Sequence, residues 1–183
     1  MPVVILVEGR SDAVVVEHLL LDQCVRARVL AIGGVTNFAR ELARNACDGT
    51  TILGLVDGGE VGILLRAVRR RGWDVPGAEA LGTHGFFVCE SDLEDELIRA
   101  LGTDTVLDAV DQLGELARFH TLQRQPEWRD RPVADQLHRF AGSGSGRKER
   151  LASALAVRLT QATTPPPLAA LLAAAGRCPP EDT

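Results

Sequence analysis

Four short apolar runs, VVILV (3–7), RVLAI (28–32), TTILGLV (50–56) and GFFVC (85–89), are each followed by a stretch with helical periodicity. No other feature restricts the fold as much. A continuous β-branched run such as VVILV is expected of a strand buried on both faces, as in a parallel sheet. Ser11 or Asp12 is placed to cap the first helix, with Ala13, Val14, Val16, Leu19 and Leu20 on or near its buried side. Helices over 36–46, 61–71 and 92–100 complete a β-α-β-α-β-α-β-α order, which predicts an α/β domain: a mostly parallel four-stranded sheet flanked by helices.

Beyond residue 102 the texture changes. Helical stretches at 103–111, 113–123, 132–140, 147–161 and 167–175 follow one another with no convincing strand between them. The expected organisation is an α/β domain over 1–102, a helical extension packed on it over 103–178, and a disordered tail over 179–183. GSGSG (142–146) has the composition of a flexible connection, and TTPPP (163–167) stops one helix before an alanine- and leucine-rich one.

At 183 residues and 45% hydrophobic content the chain can bury one substantial core. Cys24, Cys47, Cys89 and Cys178 form no CxxC pair, so neither a zinc site nor a disulfide framework is indicated. With no spanning-length apolar stretch and no secretory leader pattern, the expectation is a cytoplasmic protein without a membrane partner. The net charge of −5 excludes nucleic-acid binding that rests on bulk positive charge, so any phosphate contact is local. Tyrosine is absent, which removes a tyrosine nucleophile, and Lys148 is the sole lysine.

The acids carry the chemistry. Glu8 follows the first strand, Asp57 the third, and Asp92 and Glu94 the fourth. In an open parallel sheet the carboxyl ends of the strands share one edge, where ligands bind, so these groups are expected to meet. Carboxylates gathered there repel one another unless a cation neutralises them, and an all-oxygen set suits Mg²⁺.

VEGRSDAVVVEHLL (7–20), GGVTNF (33–38), LVDGGE (55–60) and ESDLEDEL (90–97) together resemble a Toprim domain, and in particular the Toprim half of overcoming-lysogenization-defect (OLD) family nucleases. The resemblance covers about the first hundred residues and implies a Toprim-like, Rossmann-like fold. It implies that Glu8 and Asp12 help hold one metal, that Asp57 bridges two, and that Glu94 and Asp92 supply further oxygen ligands. Lys148 matches a basic residue of the helical tail that steadies the phosphate. The sequence departs from the family's Asp-x-Asp motif at Gly59, where the second aspartate belongs, and Glu60 is the neighbouring substitute. One or two Mg²⁺ or Mn²⁺ ions are therefore the expected cofactors.

The implied activity is metal-assisted hydrolysis of phosphodiester bonds by an endonuclease, with DNA the expected substrate and RNA the alternative. OLD-type proteins join an ATPase to the Toprim domain, so the chain is expected to act alone or as the nuclease subunit beside a separate ATPase chain, with homodimerisation also open. The alternatives are a non-catalytic metal, nucleotide or nucleic-acid binding module, and an interaction protein with vestigial acids. Asp12 has a second reading as a helix cap, and Glu94 as a first-turn acid favoured by the helix dipole. AGSGSGRKER (141–150) lacks the Gly-Lys-Ser/Thr of an ATP-binding loop; it is a linker or a loop that delivers Lys148 to the metal site. Arg66, Arg69 and Arg70 are the basic residues expected to guide a nucleic-acid backbone, with Arg129 and Arg131 beside Trp128 a weaker group. His18, His84, His120 and His138 show no ligand spacing and receive no role.

Overall fold

In the computed structural model, residues 2–46, 49–144 and 146–177 are described. The tail expected over 179–183 lies outside them. Four strands, β1 (Val3–Val7), β2 (Arg28–Ala31), β3 (Thr51–Val56) and β4 (Phe86–Val88), form one sheet in the order β2-β1-β3-β4, with every pair parallel. The helices between them are α1 (Arg10–Asp22), α2 (Phe38–Asn45) and α3 (Val61–Arg70). From β1 the chain moves to one side to make β2, then crosses back to make β3 on the other. The loops leaving β1 and β3 therefore diverge, and the crevice between them is the topological switch point where open α/β sheets bind ligands.

Alternation along β1 assigns two cores. Val3, Ile5 and Val7 pack with α1 and the helical tail, whereas Val4 and Leu6 pack with Phe38 and Leu42 of α2 and Leu64 and Val68 of α3. All five β1 residues are buried, as the unbroken apolar run predicts. Each such side chain contributes about 1.5–3 kcal/mol by leaving water. Gly54 in β3 makes room for the edge-on pair of Phe38 and Phe86, whose ring centroids lie 5.7 Å apart; a Cβ there would stand 2.8 Å from both rings.

After β4 the described residues hold only helices: α4 (Leu93–Leu101), α5 (Thr103–Gln112), α6 (Leu116–Gln123), α7 (Val133–Ala141), α8 (Arg147–Ala156) and α9 (Pro166–Gly176). Helix α8 lies along α1, and α9 packs against β3 and β4, so this part of the chain completes the first core. Among the described residues no helix is long and apolar enough to cross a membrane.

Local chemistry moved four helix boundaries from their expected places; the helix expected over 113–123 starts at Leu116, after a turn in which Gly114 takes a φ of +70°. Gly9, not Ser11 or Asp12, occupies the N-cap of α1, and Asp12 sits at the third helical position with its Oδ2 accepting the Gly9 N–H at 2.7 Å. The segment expected as one helix over 36–46 begins as a 3₁₀ turn, Val35–Asn37, with α2 following from Phe38. The helix expected over 147–161 stops at Ala156. Beyond it, the hydroxyls of Thr163 and Thr164 bond the backbone of Thr160, a local alternative to continued helix.

Candidate active site

Glu8 is the first residue past β1. Its carbonyl accepts the N–H groups of both Gly33 and Gly34, at 3.0 and 3.1 Å, so the glycine turn after β2 fixes its backbone. Its carboxylate crosses the switch point and accepts the Asp57 N–H at 3.2 Å. Asp57 is the first residue past β3, and Gly58 behind it presses against the chain leaving β4. The Gly58 N–H donates to the Ser91 carbonyl at 2.8 Å, and a Cβ at this position would collide with the carbonyls of Cys89 and Glu90. Glycine here is a close-approach residue that draws the ends of β3 and β4 together. Gly59, by contrast, has open space around it.

The remaining acids enter from helix starts. Asp12 is 7% exposed; its Oδ1 also accepts the Ser11 hydroxyl, at 3.3 Å. Glu94, in the first turn of α4, is 6% exposed; its Oε2 meets the Lys148 ammonium at 2.9 Å, while its buried Oε1 has no hydrogen-bond partner. Glu60 likewise presents a buried Oε2 without a partner. Asp92 caps α4 through Oδ1, which accepts the Asp95 N–H at 2.9 Å, and its Oδ2 lies 2.6 Å from His138 Nε2. Both oxygens of Asp92 are thus engaged by the protein.

Crowding and burial act together on these groups. Burial, then repulsion from Glu8, Asp12 and Asp92, pushes the Asp57 carboxyl up to about 7. Burial raises Glu8, with the Asp57 N–H opposing and Glu60 and Asp12 adding to it. Asp12 and Glu94 are raised chiefly by burial, against the nearby Lys148. Burial alone would lower Lys148, but Glu94, Asp12 and Asp57 outweigh it and hold its ammonium above the ordinary lysine range.

Lys148 is delivered by a buried ionic clasp with no sequence signature. Glu115, at the turn between α5 and α6, is 3% exposed and accepts Arg147 Nε at 2.8 Å, Arg150 Nη2 at 2.7 Å and Arg118 at 3.2 Å. Its own burial acts to raise it, but the guanidiniums prevail and hold it below the usual carboxylate range. Arg147 also lies 4.0 Å over the Phe140 ring. Successive residues on a helix point about 100° apart, so while Arg147 and Arg150 grip Glu115, Lys148 faces the acids.

The arginines expected to guide nucleic acid are dispersed. Arg66 is exposed, with its guanidinium over Gly62 in the first turn of α3, toward the acid edge. Arg69 donates to the carbonyls of Val75 (2.9 Å) and Pro76 (2.6 Å), and Arg70 is exposed at the far end of α3, about 13 Å along the axis from its start. Arg129 pairs with Asp130 at 3.4 Å, and Trp128 carries Arg139 at 5.9 Å from its ring centroid.

The donor set fits a hard divalent cation: it is all oxygen, it is electrostatically frustrated, and two buried carboxylate oxygens await a partner. Among the described residues no three His, Cys, Asp or Glu side chains are gathered around one point. Mg²⁺ needs only one or two carboxylates and keeps several waters.

Because Asp57 titrates near 7 when folded and near 3.8 when unfolded, the folded chain holds a proton that the unfolded chain has lost between those values. Stability therefore falls as pH rises through this window, and the cost is complete above it. In chelator at pH 8, Asp57→Asn is expected to raise Tm by about 2–4 °C, the equivalent of about 1 kcal/mol once screening at this half-exposed position is allowed for, with the gap closing toward pH 4. An equal or lower Tm for the variant at pH 8, read by calorimetry, contradicts this.

No protein-family model and no curated protein matches the chain. Solved structures do. The C-terminal region of the Burkholderia pseudomallei OLD protein superposes with a TM-score of 0.68 at 20% identity, over 94% of this chain and 96% of that one. The C-terminal region of the Xanthomonas campestris pv. campestris OLD protein gives 0.69 at 25% identity, over 93% and 90%. The similarity extends through the helical tail as well as the sheet. The chain has the fold of the C-terminal Toprim region of OLD proteins.

Proposed function

We propose that this chain hydrolyses phosphodiester bonds of nucleic acid, as a Toprim nuclease dependent on Mg²⁺ or Mn²⁺. The reading is carried by the convergence of Glu8, Asp12, Asp57, Glu60 and Glu94 on the β1/β3 switch point, with buried oxygens of Glu60 and Glu94 unpartnered. Glu8, Asp12, Asp57, Asp92 and Glu94 would hold the cation or cations, with Glu60 the acid next to Gly59, the position where the Toprim pattern has its second aspartate. When bound, the metal polarises the phosphoryl oxygen and generates a nucleophile from water at neutral pH. Lys148 places an ammonium beside Glu94 to neutralise a phosphate oxygen, and Arg66 extends positive charge along the same edge. These groups address phosphate and leave the choice between DNA and RNA to contacts elsewhere. The chain acts alone or beside a separate ATPase chain, as a monomer or a homodimer.

A second reading, a metal-dependent binding module without hydrolysis, is favoured by Gly59 at the position of a second carboxylate.

Glu8→Gln and Asp57→Asn are each expected to remove Mn²⁺-supported cleavage of supercoiled plasmid while circular dichroism is unchanged. Wild-type rates in either variant remove that residue from the site. Gly59→Asp adds a carboxylate where there is room for one, and is expected to raise cleavage by about tenfold if that ligand is limiting. An unchanged rate says that Glu60 or Asp92 already serves.

A further inference from the structure

A chain with a net charge of −5 can hold a polyanion only where positive charge is concentrated locally. Several exposed arginines do not provide this, because acids match them: Arg99 faces three carboxylates, and Arg10 and Arg129 face one each. Around Glu115 the balance reverses. Three guanidiniums, those of Arg118, Arg147 and Arg150, share its one carboxylate, an excess of two positive charges. Among the described residues no other carboxylate lies within ion-pair distance of the three.

Burial decides which way this surplus faces. Glu115 is buried and Arg147 nearly so, whereas the side chains of Arg118 and Arg150 are 70% and 52% exposed. The negative charge is withdrawn from water while two positive ones stay at the surface. Each outer arginine spends one nitrogen on Glu115, Nη1 of Arg118 at 3.2 Å and Nη2 of Arg150 at 2.7 Å. A guanidinium carries five N–H donors in a fixed fork, so donors remain that suit the paired oxygens of a phosphate. Arg150 also stands in the first turn of α8, about 3 Å along the axis from Lys148, whose ammonium meets Glu94 at the acid edge. Glu149, between them in sequence, turns instead to Arg10 on α1.

We propose that Arg118 and Arg150 form a binding surface for the phosphate backbone of a nucleic-acid strand, continuing past Lys148 from the acid edge; the link to the acid edge rests on the nuclease reading above. Phosphate contacts of this kind position a strand without reading its bases. The buried Arg147 keeps Glu115 neutralised while the two outer guanidiniums face the strand.

The test measures binding of a fluorescent single-stranded oligonucleotide to the full chain by anisotropy, in chelator so that no metal-dependent cleavage intervenes, across about 50–200 mM salt. Each phosphate contact on a single strand contributes about 0.7 to the steepness of log K against log salt. Arg118→Gln is expected to reduce the steepness by about 0.7, and Arg118→Lys, which keeps the charge, to leave it unchanged. Adding Arg150→Gln to Arg118→Gln brings the reduction to about 1.4. Arg40→Gln removes an exposed arginine from α2, on the other face of the sheet, and is expected to have no effect on the steepness. A wild-type slope in Arg118→Gln, an equal loss in Arg40→Gln, or a wild type that binds no oligonucleotide at low salt overturns the proposal. Cleavage with Mn²⁺ is scored separately: a wild type that binds through these arginines and cuts nothing overturns the nuclease reading and leaves the binding surface standing.

Discussion

The carboxylate of Glu8 reaches across the switch point to the N–H of Asp57, 49 residues later in the chain. This contact joins the ends of the two central strands, and the rest of the site depends on the crowding it creates. Asp12, Asp92 and Glu94 enter the same space from the N-terminal turns of α1 and α4. Negative charge gathered at helix N-termini is locally favoured by the backbone dipole, but the mutual repulsion of these groups is not relieved by it. Burial first, and repulsion between the acids second, raises Glu8, Asp12, Asp57 and Glu94, with Lys148 opposing. A folded state that keeps such an arrangement stores an affinity for positive charge.

Lys148 supplies part of that charge, and its placement is an achievement of the helical tail. Helix α8 lies along α1, and the Glu115 clasp sets its rotation by holding Arg147 and Arg150. A buried ion pair adds little net stability relative to apolar packing, yet breaking one is costly, because it leaves a charge without its partner. The clasp is better understood as a device that specifies orientation. It connects a turn 33 residues upstream to the ammonium at the acid edge.

Much of this was legible in the sequence, for physical reasons that differ between elements. Strands β1 and β3 announce themselves because strands buried on both faces need uninterrupted apolar residues, and the polar residue that follows each one, Glu8 or Asp57, marks the carboxyl edge of the sheet. Helix limits were less legible. The end of α8 depends on competition from Thr163 and Thr164, and the start of α1 on whether Asp12 serves as cap or as third residue. Least visible were contacts made by packing alone. His138 and Asp92 are separated by 46 residues, and Glu115 and Arg150 by 35, so no spacing rule joins them. The exposure of Arg66 and the engagement of Arg69 with a loop also follow only from where α3 lies.

The central claim is that the acid edge between β1 and β3 is a divalent-cation site. Crystals of the wild-type chain soaked in Mn²⁺ and measured for anomalous scattering address it without recourse to activity. The account predicts an anomalous peak within coordination distance of Glu8 and Asp57, lost in Asp57→Asn. Absence of a peak at that edge with Mn²⁺ at millimolar concentration would contradict it.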